Sequence, residues 1–514
     1  MSTVPRERAH PLTQPSTETT RLDELLARSA HTTPDAPALS DAERSLTYRE
    51  LNTAVDALAA RLRSCEVRPG HRVGVLVPKG HSAIRALYGV LRAQAVAAPL
   101  DCSDPAERVT RAAQNAGLDF LITAPGATDR AGTHLIDDTH APAVDLSGGL
   151  RLHPLSPRER PADEAAYILF TSGSTGWPKG VLLTHGNVLH FVRWAVDTLG
   201  IGPADRIGSQ ASLTFDLSTF DFFGAALAGA SVMILPEELK AFPRNVTEWL
   251  RDERISVFYA VPTLYRALIE RGGISADALP DLRVFAFAGE PFPPKTLQQY
   301  IEKFPDSTWW NLYGPTETNV CTFAAVPSTW TAEDGVSIGT AIDGVQVDLA
   351  GTEEGPTGEG EIVVAGPTVF RGYLTNGELH DPTEPWTFPD GVTRRAYRSG
   401  DLARRDEHGR LWLRGRRDHQ VKIRGHRIDL GDVESAAVAI PSVLACAAVL
   451  CPDGPNGDRL LLYAVTDAID SRRLRASLAT ALPRRMLPDE VRIVAELPLN
   501  SRGKVDRPAL AARS

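Results

Sequence analysis

Residues 171–180 read TSGSTGWPKG, an interval of Gly, Ser and Thr with one lysine, set between the apolar runs 167–170 and 181–183. Backbone N–H groups and hydroxyls in such a loop can surround a phosphate, with the lysine supplying charge. The widespread phosphate loop instead needs G-K followed directly by Ser or Thr, so that a hydroxyl reaches the metal. Here Lys179 stands between Pro178 and Gly180, so a different nucleotide loop is expected. Four more charged residues sit in turn-like surroundings: Asp216 in FDLS, Glu317 in NLYGPTE, Asp401 in SGDL and Lys504 in SRGKVD. Each has an ordinary reading by itself. A lysine near a terminus is usually solvated, an Asp after Gly is a common turn residue, and Asp216 close to Ser218 could cap a helix.

Taken in order, the segments point further. TSGSTGWPKGV with LTHGNV (183–188) resembles the signature of the adenylate-forming superfamily: acyl-CoA synthetases, luciferases and the adenylation domains of nonribosomal peptide synthesis. LTYREL (46–51), FDLS (215–218), NLYGPTE (311–317), YRSGDL (397–402), GRRDHQVKIRGHRIDLGDVE (415–434) and NSRGKVDR (500–507) fall in that family's order. The resemblance covers nearly the whole chain beyond residue 20.

The resemblance implies attack of a substrate carboxylate on the α-phosphate of ATP, giving an acyl adenylate and pyrophosphate. A carboxylate with pKa near ~4 needs no general base at neutral pH, so catalysis consists of positioning and charge neutralisation. By resemblance, Lys504 bridges the substrate carboxylate and the α-phosphate, while Thr316 and Glu317 belong to the catalytic centre, with Glu317 as ligand of Mg2+. Thr171, Ser172, Gly173, Ser174, Thr175 and Lys179 would hold phosphates. Gly289, Asn311, Tyr313, Asp401 and Arg416 would surround the nucleotide, Asp401 accepting from the ribose hydroxyls. A second step passes the acyl group to a phosphopantetheine thiol after a small lobe turns about a hinge at Asp418, with Gly425 on the face that admits the pantetheine.

Asp216 carries the substrate class. In amino-acid-activating members an Asp at this position pairs with the substrate's α-ammonium, a charge costly to bury alone. The family's pocket positions fall here on Asp216, Leu217, Phe220, Tyr259, Ala286, Ala288, Leu312, Val320, Cys321 and Lys504. Between the charged ends the lining is apolar, so a small neutral L-amino acid is expected, with Phe220 and Tyr259 shortening the cavity. The set is similar to that of L-prolyl ligases, though Phe220 and Ala286 stand where Leu is expected; alanine, glycine or serine remains the other choice. An acyl- or aryl-CoA synthetase is the alternative reading. With no carrier signature behind and no condensation signature ahead, a freestanding enzyme serving a separate phosphopantetheinylated carrier protein is expected. Arg484, Arg485 and Arg502 are candidates to meet its acidic helix.

Positioning these residues requires an α/β fold. Helical patterns at 22–29, 48–62 and 82–92 alternate with strand patterns at 71–77, 96–100 and 120–123, and again at 231–235, 255–260 and 284–288. Such alternation predicts parallel and mixed sheets with ligands beyond the strands' carboxyl ends. Gly- and Pro-rich strand patterns from about 342 to 413 predict a small β region completing a large domain over 21–417. A small mobile α+β lobe is expected over 418–514, and residues 1–20, rich in Thr, Pro and Ser, as a disordered tail. A chain of 514 residues is too long for one core. Its net charge of −9, with mixed signs throughout, offers no basic face for nucleic acid. No apolar run reaches the ~18 residues of a membrane span, and five scattered cysteines fit a reduced, cytoplasmic protein.

Overall fold

The computed structural model describes residues 20–126, 143–171, 177–351, 358–418, 420–454, 457–498 and 505–513. Ser172, Gly173, Ser174 and Thr175 of the phosphate loop, Arg502 and Lys504 lie outside these residues.

The strands Arg206–Ser209, Ser231–Ile234, Val257–Ala260, Val284–Phe287 and Thr308–Tyr313 run parallel within a nine-stranded sheet. Their near-continuous apolar sequences reflect burial on both faces. Three of the covering helices, Pro243–Asp252, Pro262–Ala267 and Pro294–Lys303, begin on proline. A first helical position suits proline because its missing N–H would have had no partner there. The carboxyl ends of these strands lead into Tyr259–Ala260, Ala288–Glu290 and Gly314–Glu317, so one edge of the sheet collects the chemistry.

A second nine-stranded sheet pairs Arg72–Leu76, Val96–Pro99, Phe120–Thr123 and Ala165–Thr171 in parallel. Lys179–Thr184 then returns antiparallel to Ala165–Thr171, with Thr171 opposite Lys179. The phosphate-loop segment therefore joins two strands of a hairpin. The helix His185–Thr198 starts only afterwards, at Thr184, whose Oγ accepts from the Asn187 N–H at 3.0 Å. No helix N-terminus follows this loop directly, which separates it physically from the widespread phosphate loop.

The strand-like stretch after residue 342 forms a five-stranded sheet in which Thr393–Arg405 pairs with Leu411–Arg416, setting Asp401 opposite Arg416. Beyond it lie a two-stranded hairpin, Gln420–Ile423 with His426–Asp429, and a three-stranded sheet packed against the helices Leu430–Val438 and Ser471–Ala481. These share a separate core around Ile428, Val433, Leu462, Leu474 and Leu478, giving the expected α/β body and small α+β carboxyl-terminal lobe. Among the described residues no helix is long and apolar enough to cross a membrane.

Candidate active site

Asp216 opens a short helical stretch, Leu217–Thr219, continued by a π-helical turn over Phe220–Gly224. Its side chain makes no capping bond, so capping does not account for it. Instead Oδ2 accepts from Thr316 Oγ1 at 2.9 Å, and the residue lines a cavity of about 40 Å³. Burial pushes the Asp216 carboxyl up to about 6, the Thr316 hydrogen bond opposing and Glu317 adding to the rise. Leu217, Tyr259, Ala288, Gly289, Thr316 and Val320 share the lining. Phe220, Ala286, Leu312 and Cys321 are buried behind it. Phe220 packs edge-on to Tyr259 at 5.9 Å and 80°, so it supports the cavity wall where the sequence had suggested that it shortens the cavity. The Tyr259 hydroxyl is buried with no hydrogen-bond partner among the described residues.

The Thr316–Glu317 turn depends on Gly314, where a Cβ would fall 1.6 Å from the Asn319 carbonyl oxygen; Asn319 itself has φ 50°. Glu317 is almost fully buried. Its Oε1 accepts from the Tyr373 hydroxyl at 2.7 Å, and Arg427 Nη1 reaches both carboxylate oxygens at 3.0 and 2.8 Å. A hard carboxylate paired, among the described residues, with one guanidinium suits a divalent cation when Arg427 is withdrawn. Among the described residues no cluster of three His, Cys, Asp or Glu would hold a metal unaided.

Asp401, also buried, accepts from Tyr313 OH at 2.5 Å and from Arg416 Nη1. Arg416 also grips both oxygens of Asp418 at 2.7 and 2.9 Å. Burial opposes ionisation of Asp418, yet the Arg416 guanidinium outweighs it and holds the carboxyl below its ordinary value. Asn311 donates to the Ser337 carbonyl at 2.7 Å, and Lys179 lies 5.6 Å from the Tyr373 ring centre.

The carboxyl-terminal hairpin completes the cavity. Lys422, Gly425 and Arg427 line it, and the Gly425 N–H donates to Glu290 Oε1 at 2.6 Å. Glu290 Oε2 in turn accepts from the Thr263 hydroxyl at 2.6 Å. Gly289 and Gly425 meet across the seam, a Cβ on Gly289 falling 3.7 Å from the Gly425 Cα. Lys422, Arg427, Glu290 and Tyr373 are the contributors that motif reading missed. The first two flank Gly425 inside a quoted motif, and Glu290 ends Ala288-Gly289-Glu290; Tyr373 gave no signal.

The sequence profile of the family described as AMP-binding enzyme matches residues 26–374, and that of its carboxyl-terminal domain matches 432–504. The chain belongs to the AMP-binding enzyme family. An L-proline–(L-prolyl-carrier protein) ligase of Pseudomonas fluorescens is 35% identical to this family member over 506 residues, 95% of this chain and 98% of that one. A protein of the same description from Streptomyces coelicolor is 36% identical over 495 residues, 90% of this chain and 91% of that one. The solved structure of holo-PA1221, described as a protein containing adenylation and PCP domains, superposes with TM-score 0.80 at 26% identity. It covers 96% of this chain and 84% of that one.

Proposed function

We propose that this chain activates a small neutral L-amino acid as its aminoacyl adenylate and passes the aminoacyl group to the phosphopantetheine thiol of a separate carrier protein. The observation that carries this reading is the buried Asp216 carboxylate in the wall of the cavity: Arg427 in the same lining is engaged by Glu317, and Asp216 has no ion-pair partner among the described residues. A buried anion there is costly without a cation, and an α-ammonium supplies one. The two ligases of similar length favour proline. Because Phe220 and Ala286 lie behind the lining, they no longer argue for confining the ligand to alanine, glycine or serine.

In the first half-reaction the substrate carboxylate oxygen bonds to the α-phosphorus of ATP as the bond to the β-phosphate oxygen breaks, and pyrophosphate leaves. Asp216 fixes the ammonium, Asp401 with Tyr313 and Arg416 receives the ribose, and Lys504 bridges the two reacting anions. Thr171, Lys179 and residues 172–175 take the phosphates. Mg2+ at Glu317 would neutralise phosphate charge. In the second, the thiol sulfur bonds to the acyl carbon, AMP leaves, and the thiol proton goes to solvent. The arrangement with Gly425 at the cavity suits this step, since pantetheine would reach the cavity alongside the Gly289–Gly425 seam. The five cysteines, none of them in a disulfide, accord with a reducing cytoplasmic setting.

The deciding experiment is amino-acid-dependent ATP/pyrophosphate exchange across the common amino acids with fatty and aryl acids alongside. Exchange with proline supports the reading; exchange with fatty or aryl acids alone overturns it. Tyr259→Phe refines the outcome. With proline as ligand, whose side chain accepts no hydrogen bond, exchange changes by less than about threefold. A ligand whose side chain pairs with the phenol loses roughly tenfold or more, the price of a charge-free buried hydrogen bond being ~1 kcal/mol and upward. Asp418→Pro fixes φ and removes the grip of Arg416 on the hinge. Exchange then persists, while transfer to pantetheine falls on the order of 10²-fold through misplacement of the lobe.

A further inference from the structure

Arg485 does not offer itself to a partner as the sequence had suggested. It sits on the turn Arg484–Met486, anchored by Met486 in the core of the carboxyl-terminal lobe. From there its guanidinium crosses to the large body. Nη1 and Nη2 donate to the two oxygens of Asp104 at 2.6 and 3.0 Å, and Nη1 reaches Asp101 Oδ2 at 3.1 Å. The Arg485 side chain is 24% exposed and that of Asp104 12%. The acceptors are held in place as well: Asp101 Oδ1 takes the Ser103 N–H at 2.8 Å and its hydroxyl at 2.6 Å, and Arg108 stands 3.7 Å from Asp104. A forked, partly desolvated pair between two preset ends is the strong kind of ion pair.

None of Arg485, Asp101 or Asp104 lines the cavity. The pair spans the same seam as the Gly425–Glu290 bond, and rotation of the lobe about residue 418 would carry the guanidinium out of bonding range. We infer that Arg485 with Asp101 and Asp104 is an inter-lobe clasp that holds the Gly425 hairpin at the cavity and so sets the share of molecules ready for thiol transfer. Arg485 is a positioning residue for the second half-reaction, and this inference rests on the two-step function proposed above. A contact made in one arrangement only shifts the balance between arrangements by its differential strength.

The test compares Arg485→Gln, Asp104→Asn and the double variant carrying both in the full chain. Three quantities are read: ATP/pyrophosphate exchange, single-turnover transfer to pantetheine, and hydrogen–deuterium exchange of residues 420–427. Each single variant is expected to slow transfer about tenfold while exchange activity stays within about twofold, as for a pair between surface and buried strength. Deuterium uptake at 420–427 quickens without a matching rise over Ser471–Ala481, which excludes plain unfolding of the lobe. The double variant loses no more transfer rate or protection than Arg485→Gln alone, as for two partners of one pair. Equal loss of both half-reactions, unchanged transfer with unchanged protection, or losses that add in the double variant overturn the clasp. Absence of any amino-acid-dependent exchange in the unmodified protein would instead overturn the functional reading, and the deuterium comparison would still decide the clasp.

Discussion

Asp216→Asn is expected to lower kcat/KM for the amino acid by roughly 10² to 10³, because it leaves a buried ammonium without its counter-charge, a loss of ~3 to 5 kcal/mol. The effect resides in KM for the amino acid and leaves KM for ATP nearly alone, which steady-state exchange kinetics separate. The pH profile carries the same information. Burial raises the Asp216 carboxyl to about 6, so the free enzyme loses its anion as the pH falls through that value and amino acid affinity falls with it. In Asp216→Asn that dependence disappears. Stability should move oppositely. A carboxyl raised in the folded state favours folding while protonated, and that contribution is lost as the pH rises through about 6. Ionised Asp216 therefore costs the empty protein on the order of 3 kcal/mol. The Asn variant should melt higher than the parent at pH 8 and show no such gain at pH 4, by thermal unfolding. An unchanged kcat/KM would remove Asp216 from the substrate's recognition altogether.

Gly425→Leu is expected to abolish transfer to pantetheine, by more than about 10²-fold, through displacement of the hairpin from the cavity. Two features of the position require glycine. Its φ is +78°, where a branched side chain is strained, and a Cβ would fall 2.4 Å from Val261 Cγ1. A leucine side chain would enter the gap beside Gly289 as well. Adenylate formation, which does not need the hairpin there, should continue, so the variant accumulates aminoacyl-AMP. Quenched-flow measurement of both half-reactions decides it; equal slowing of the two would show that Gly425 serves folding alone.

The contributors named by motif were legible because each belongs to a short contiguous segment of the sequence. Asp216, Thr316 and Glu317 meet because parallel strands bring their carboxyl ends to one edge, which alternation of elements predicts. Depth was less legible. Ala286 and Ala288 share a face of Val284–Phe287 and its continuation, and period-two reading gives the face; it does not say that Tyr259 and Phe220 cover the deeper of the two. The strand reading also fell within a residue or two of the observed bounds, 71–77 against Arg72–Leu76 for example. What no local pattern holds is the placement of one lobe on the other. Lys422, Arg427 and Glu290 acquire their roles only from that placement, and Arg485, which read as a candidate to meet a carrier protein's acidic helix, is engaged by Asp104.

Arg416 joins two sites through one guanidinium. It binds Asp401, the proposed ribose acceptor, through Nη1 and Asp418, the proposed pivot, through Nε and Nη2, so the two carboxylates are tied to one rigid planar group. Whatever draws Asp401 toward a ligand hydroxyl changes how firmly Asp418 is held, and by thermodynamic reciprocity the angle of the pivot must alter nucleoside affinity by the same factor. Nucleotide occupancy and lobe orientation are thus two readings of one dial, turned from either end.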